Sequence, residues 1–189
     1  MEQMKHFLDE LANNNAKVKN SVYFKIKNAK EKAESVLKKY LPNFKPLQEY
    51  DKIYSWLENN RGRGLLLVGT CGLGKSLFSQ IVIPYLLLTE CRLQVNVIKA
   101  VDLQENFQAI KNRKILSIDD IGIETLLNEY GQKRDCFCEF MDKADSIGTL
   151  IIATTNLNAK QLEERYGERT LDRLRGNMEV VVLKGNSMR

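Results

Sequence analysis

The sequence predicts a doubly wound α/β domain, and three observations carry that prediction. From residue 46 onward, short runs of Val, Ile and Leu alternate with longer stretches of helical character. The runs are near-continuous rather than alternating, as in parallel strands covered on both faces. A glycine-rich segment, "GTCGLGKS" from Gly69 to Ser76, stands between one such run and a helical stretch, where a strand-to-helix turn belongs.

In chain order, strands are expected at Leu65–Val68, Gln94–Ile98, Lys114–Ile118, Thr149–Ala153 and Glu179–Leu183. Helices are expected at 48–59, 75–89, 102–110, 129–145 and 159–174. The longest apolar stretch, Leu77 to Leu88, is twelve residues and contains Ser79, Gln80 and Pro84. A membrane span needs about 20 apolar residues, so this stretch reads as a buried helix and no membrane partner is expected. The first fifteen residues mix acids and Asn with apolar side chains and do not read as a secretory signal. Cys71, Cys91, Cys136 and Cys138 show no disulfide framework, and one histidine, His6, leaves no Cys/His metal set. These features indicate a reduced, cytoplasmic protein.

Charge divides the 189 residues in two. Residues 17–45 carry nine lysines against Glu31 and Glu34, whereas 46–189 have no net charge within a total of +5. Residues 1–45 are therefore expected to form a basic helical arm and 46–189 the core, with Pro42 and Pro46 at the junction. In the arm, Val22, Ile26, Ala29, Ala33, Val36 and Tyr40 recur at spacings of 4-3-4-3-4, one apolar seam along a helix. Some 45 residues cannot build a core of their own, so the seam packs on something. The choices are the chain's own core, a partner surface, or a contact of the lysines with nucleic acid or acidic lipid.

Gly69, Gly74, Lys75 and Ser76 complete the pattern G-x-x-x-x-G-K-S, the phosphate-binding P-loop. Backbone N–H groups and a helix N-terminus converge there, and glycines let the chain wrap a polyphosphate without Cβ collisions. Gly69, Thr70, Cys71, Gly72, Leu73, Gly74, Lys75, Ser76 and Leu77 are the candidate ATP-binding residues. Lys75 would reach the β- and γ-phosphates and the Ser76 hydroxyl would ligate Mg²⁺. The bland alternative is a glycine turn without a ligand. A chance match in such a chain is on the order of 1 in 100 or less.

"KILSIDDIG" brings an apolar run into Asp119 and Asp120. The first carboxylate can hold the Mg²⁺ hydration shell, and the second can orient or deprotonate an attacking water. Adjacent carboxylates at a buried strand edge are costly unless a cation shares them, which disfavours a mere polar strand end. "TLIIATTN" offers a further strand ending in Thr154, Thr155 and Asn156, whose amide could hold the same water, although such residues are also ordinary turn chemistry. Arg169 and Arg173 lie four apart on one helix face, where ion pairing within the helix is the alternative to a phosphate contact.

The order of P-loop, "IDDIG", "ATTN", "YGERTLDRLRGN" and "GNSMR" resembles an AAA+ ATPase over residues 47–189. Within that group the chain is most similar to DnaC-type replicative helicase loaders and IstB-type transposition helper ATPases. The resemblance implies a five-stranded parallel sheet of order 5-1-4-3-2, which puts Asn156 between Lys75 and Asp119. It also implies Asn156 as first sensor, Arg173 as arginine finger supplied in trans, and Arg189 as second sensor at the nucleotide. A homo-oligomer formed on ATP or on a partner follows from the finger.

Departures are visible too. No canonical helical lid is expected after the last strand, Asp120 stands where many AAA+ chains have Glu, and only one short helix fits between Ile98 and Lys114. That helix carries Asp102, Glu105 and Lys111, which counts against contact of the core with single-stranded DNA. The function expected is an ATP-hydrolysing helicase loader in DNA replication that docks a replicative helicase through residues 1–45. A transposition helper and a nucleotide-gated adaptor without hydrolysis are the alternatives.

Overall fold

The computed structural model describes residues 22–42, 44–124, 127–129 and 132–185. Helix α1 spans Ala29–Tyr40 and α2 spans Tyr50–Glu58, followed by strand β1, Gly64–Val68. The next helix, α3, starts with Lys75–Leu77, widens to a π turn over Phe78–Val82, and continues as Ile83–Cys91. Pro84 sits just past the widened turn and has no N–H for the Gln80 carbonyl, while Ile83 N–H bonds Phe78 O five residues back. Then come β2 (Asn96–Lys99), α4 (Leu103–Ile110), β3 (Ile115–Asp119), a hairpin of β4 (Leu127–Glu129) and β5 (Gln132–Arg134), α5 (Cys136–Ile147), β6 (Leu150–Thr155), α6 (Ala159–Asn177) and β7 (Met178–Val182).

The sheet runs β2-β3-β6-β1-β7, all parallel. Counting only its own members in chain order, this is 5-1-4-3-2, the expected arrangement. Successive residues of β1 feed opposite cores. Leu65 and Leu67 pack among α1, α2 and α3, while Leu66 and Val68 pack among α4, α5 and α6. Both faces are covered, which is why the strand reads as one apolar run. Among the described residues, no helix is long and apolar enough to cross a membrane.

The helix expected at 129–145 begins later, at Cys136. The hairpin occupies the earlier residues, and the Asp135 side chain accepts from the N–H groups of Phe137 and Cys138 to cap α5. The helix expected at 159–174 runs on to Asn177, with a non-helical break at Gly167 and a capping box at Asn158 and Gln161.

The arm's seam has found its surface within the chain. Ile26, Ala29, Ala33 and Val36 are buried in the same cluster as Trp56, Leu57 and Phe78, and Val22 packs against it. Three backbone ties fasten the segment before α1: Ile26 N–H to Leu57 O, Phe24 N–H to Asn60 Oδ1, and Asn60 Nδ2 to Val22 O. Of the two apolar choices, the core takes the seam, and only Tyr40 at its end stays exposed. Residues 22–42 thus join the layer that covers one face of the sheet. Of the rest of the arm, residues 1–21 and 43 lie outside the described residues.

Candidate nucleotide site

The Gly69–Ser76 loop leaves β1 at the C-terminal edge of the sheet, where the crevice of an open α/β fold lies. A Cβ on Gly69 would lie 2.7 Å from Leu183 O, so the backbone approach there admits only glycine. Gly74 turns the chain into α3 with φ +72°, a left-handed conformation. Beneath the loop, buried Tyr50 donates to Leu73 O at 3.0 Å and meets the Phe78 ring edge-on at 4.8 Å. Burial raises the Tyr50 hydroxyl well above the ordinary phenol range, so it remains a donor.

Lys75 is the first residue of α3 and is 6% exposed. Its ammonium donates to Gly69 O, Thr70 O and Asn156 Oδ1, each at 2.8 Å. Burial lowers its pKa, opposed by the nearby Cys71, Asp120 and Asp119. Its three bonded partners are all neutral oxygens, a setting that calls for an anion.

Asp119 ends β3 and is almost fully buried. Its Oδ1 accepts from Ser79 Oγ at 3.0 Å and Thr154 Oγ1 at 2.7 Å, and its Oδ2 accepts from Gln80 Nε2 at 2.6 Å. Asp120 follows with φ +62°, in the left-handed region. Its N–H donates to Thr154 Oγ1 at 2.8 Å and its Oδ1 accepts from Asn156 Nδ2 at 2.8 Å. Lys75, Asn156 and Asp120 thereby form one hydrogen-bonded chain across three elements.

These groups border a cleft of about 440 Å³ lined by Cys71, Gly72, Gly74, Lys75, Ser76, Leu77, Asp120, Thr154 and Asn156, with Tyr40 and Leu41 from the end of α1. Leu73 points into the core instead, and Thr70 contributes its carbonyl to Lys75. The loop and its cation fit a polyphosphate. Among the described residues, no three His, Cys, Asp or Glu gather into a metal cage. Mg²⁺ in such a site draws mostly on phosphate and water oxygens; Ser76 lines the cleft, whereas the Asp119 carboxylate does not and accepts from Ser79, Thr154 and Gln80 instead.

Arg173 is placed elsewhere. On α6 it pairs with Asp142 of α5 at 2.5 Å, and Arg169 reaches the same carboxylate at 3.5 Å. The ion pair is thus between helices rather than within one, and neither arginine lines the cleft. Arg189 lies outside the described residues. Ser79, Gln80, Thr154 and Tyr50 were not legible as site residues. Ser79 and Gln80 stand three and four positions after Ser76, the one signal that they share its helix side.

No family model matches the chain, and no curated protein does. Solved structures do. DnaI is 18% identical with a TM-score of 0.54, covering 86% of this chain and 85% of its own. A DnaC helicase loader is 18% identical with a TM-score of 0.55, covering 87% and 95%. The fold is that of a DnaC-like AAA+ protein. DnaA from Aquifex aeolicus, solved with AMPPCP bound, shares the AAA+ fold at 19% identity and a TM-score of 0.55, over 77% of this chain and 50% of its own. Within this fold, β1 leads into the glycine loop, β3 into the acidic pair and β6 into Asn156 between them.

Proposed function

We propose that the chain binds ATP with Mg²⁺, hydrolyses it, and acts in DNA replication as the loader of a replicative helicase. The observation that carries the nucleotide half is the Lys75–Asn156–Asp120 chain above the glycine loop. The replication half rests on likeness in fold to DnaI and the DnaC helicase loader.

In this reading the loop N–H groups and the start of α3 hold the phosphates, and Lys75 exchanges its loop carbonyls for phosphate oxygens. Ser76 and Asp119 would hold Mg²⁺, which would supply charge neutralisation at the phosphates. Asp120 takes the proton of the attacking water, and the Asn156 amide orients that water. Arg173 leaves Asp142 and serves the site of an adjacent copy, so turnover depends on assembly. Partner docking through residues 1–45 falls to the outer, lysine-bearing side of α1 and to residues 1–21, because the seam is already covered.

The test is phosphate release by the full chain with ATP and Mg²⁺, alone and with the cell's replicative helicase, together with co-purification of the two. Turnover that rises with helicase is the expected result. Replacing exposed Lys25, Lys27 and Lys38 with Gln should flatten the salt dependence of capture. ATP binding with no turnover under any of these conditions would leave a nucleotide-gated adaptor instead.

A further inference from the structure

We infer that Thr154 is a positioning residue that sets both members of the acidic pair through one hydroxyl. The inference rests on the ATPase reading above but concerns a residue to which that reading gives no part. Thr154 is 1% exposed, and its Oγ1 lies 2.7 Å from Asp119 Oδ1 and 2.8 Å from the Asp120 backbone nitrogen. A backbone N–H can only donate, so the hydroxyl accepts from Asp120. Its single proton is then left for the Asp119 carboxylate. The direction of both bonds is fixed by chemistry alone.

Each bond does separate work. The bond to Asp119 adds a third donor beside Ser79 and Gln80, which fixes the orientation of that carboxylate. The bond from Asp120 holds a non-glycine residue in the left-handed region. In that conformation the Asp120 carboxylate reaches Asn156 Nδ2, which in turn reaches Lys75 through Oδ1. Thr154 is itself pinned: Ile121 N–H donates to its carbonyl at 2.8 Å, and its backbone pairs with Leu67 in β1. A hydroxyl on β6 therefore ties the end of β3 to the strand that carries the phosphate loop.

The test compares Thr154→Val, which keeps the shape and loses the hydroxyl, with Thr154→Ser, which keeps the hydroxyl. Thr154→Val should lower kcat by ~10- to 100-fold with KM for ATP within ~3-fold, and Thr154→Ser should stay within ~3-fold of the parent in both. A second readout needs no turnover. Melting is measured with ATP plus EDTA and with ATP plus Mg²⁺. The valine variant should keep the metal-free shift and lose the extra shift that Mg²⁺ confers, and the serine variant should show both. The third is amide exchange at Asp120, slow in the parent and in Thr154→Ser and fast in Thr154→Val. A valine variant with parental kcat and a parental Mg²⁺-dependent shift would overturn the inference, as would unchanged Asp120 exchange. A parent chain that neither binds nor hydrolyses ATP would instead overturn the nucleotide reading, and Asp120 exchange would still decide whether the hydroxyl holds the pair.

Discussion

Replacing Phe24 with Ala is the most direct way to ask whether the arm belongs to the folded core in solution. Phe24 is 6% exposed and meets the Trp56 ring edge-on at 5.1 Å with an interplanar angle of 82°. Truncation leaves its N–H bond to Asn60 Oδ1 and the Ile26–Leu57 bond intact. The segment should therefore stay in place around a cavity rather than peel away. Core Phe-to-Ala changes cost about 3–5 kcal/mol. For a chain of this size each kcal/mol moves Tm by about 2–4 °C, so a fall of about 6–20 °C is expected. Urea unfolding followed by circular dichroism and by fluorescence gives the free energy, and Trp56, the only tryptophan, reports on the contact itself. A detachable arm predicts something else. Phe24 would then gain little from burial, and truncation would cost less than ~1 kcal/mol with an unchanged m-value. That outcome would refute the assignment of residues 22–42 to the core layer.

Lys75→Ala should abolish the stabilisation that Mg²⁺–ATP confers, about 2.7 kcal/mol at a hundredfold excess over Kd, as read by thermal melting. Because burial lowers the Lys75 pKa, the unfolded chain binds more protons than the folded one between that lowered value and 10.5. Ligand-free stability should thus rise with pH across that window, and Lys75→Met should remove this slope in denaturant titrations at a series of pH values. Tyr50→Phe deletes the hydroxyl under Leu73 O and should cost about 1 kcal/mol of stability, with weaker ATP binding by calorimetry because the loop loses its support. Arg173→Ala should keep ATP affinity within a few-fold yet lose assembly-dependent turnover. Mixing it with Asp120→Asn protein should partly restore the rate, and mixtures that assemble without recovery would remove the trans role.

The middle of the sheet was legible because β1, β3 and β6 are buried along their whole length, so Leu65–Val68 and its neighbours read as apolar runs, whereas the edge strand β2 leaves Val97 and Lys99 exposed. The turn from β1 into α3 was legible because its glycines stand between an apolar run and a helical stretch. The partners of Asp119 were not. Ser79 and Gln80 come from α3 and Thr154 from β6, and nothing in local spacing brings them to one carboxylate. Ser79 and Gln80 read as interruptions of an apolar helix. They are adjacent in sequence, about 100° apart on a regular helix, and they reach the same group within the π turn next to Pro84. The hairpin before α5 was hidden for a different reason. Its strands are three residues each, below the length at which period-two patterning can be told from a helix start. The arm's seam is helical only from Ala29: Val22 and Ile26 lie before α1, where backbone ties to Leu57 and Asn60 rather than helical spacing bring them to the core, and spacing alone cannot say which surface a stripe meets.

The left-handed backbone at Asp120 also constrains which amino acids the position tolerates. Asn and Asp enter that region far more readily than other side chains, and glycine enters it freely. A longer acid would gain reach at the expense of backbone strain, so glutamate is not a conservative exchange here. Asparagine preserves the conformation and removes only the charge, which makes Asp120→Asn the clean probe of proton transfer. Glycine would relieve the strain altogether and discard the carboxylate. Relief of backbone strain and retention of the bond from Asn156 Nδ2 therefore favour different residues at this position.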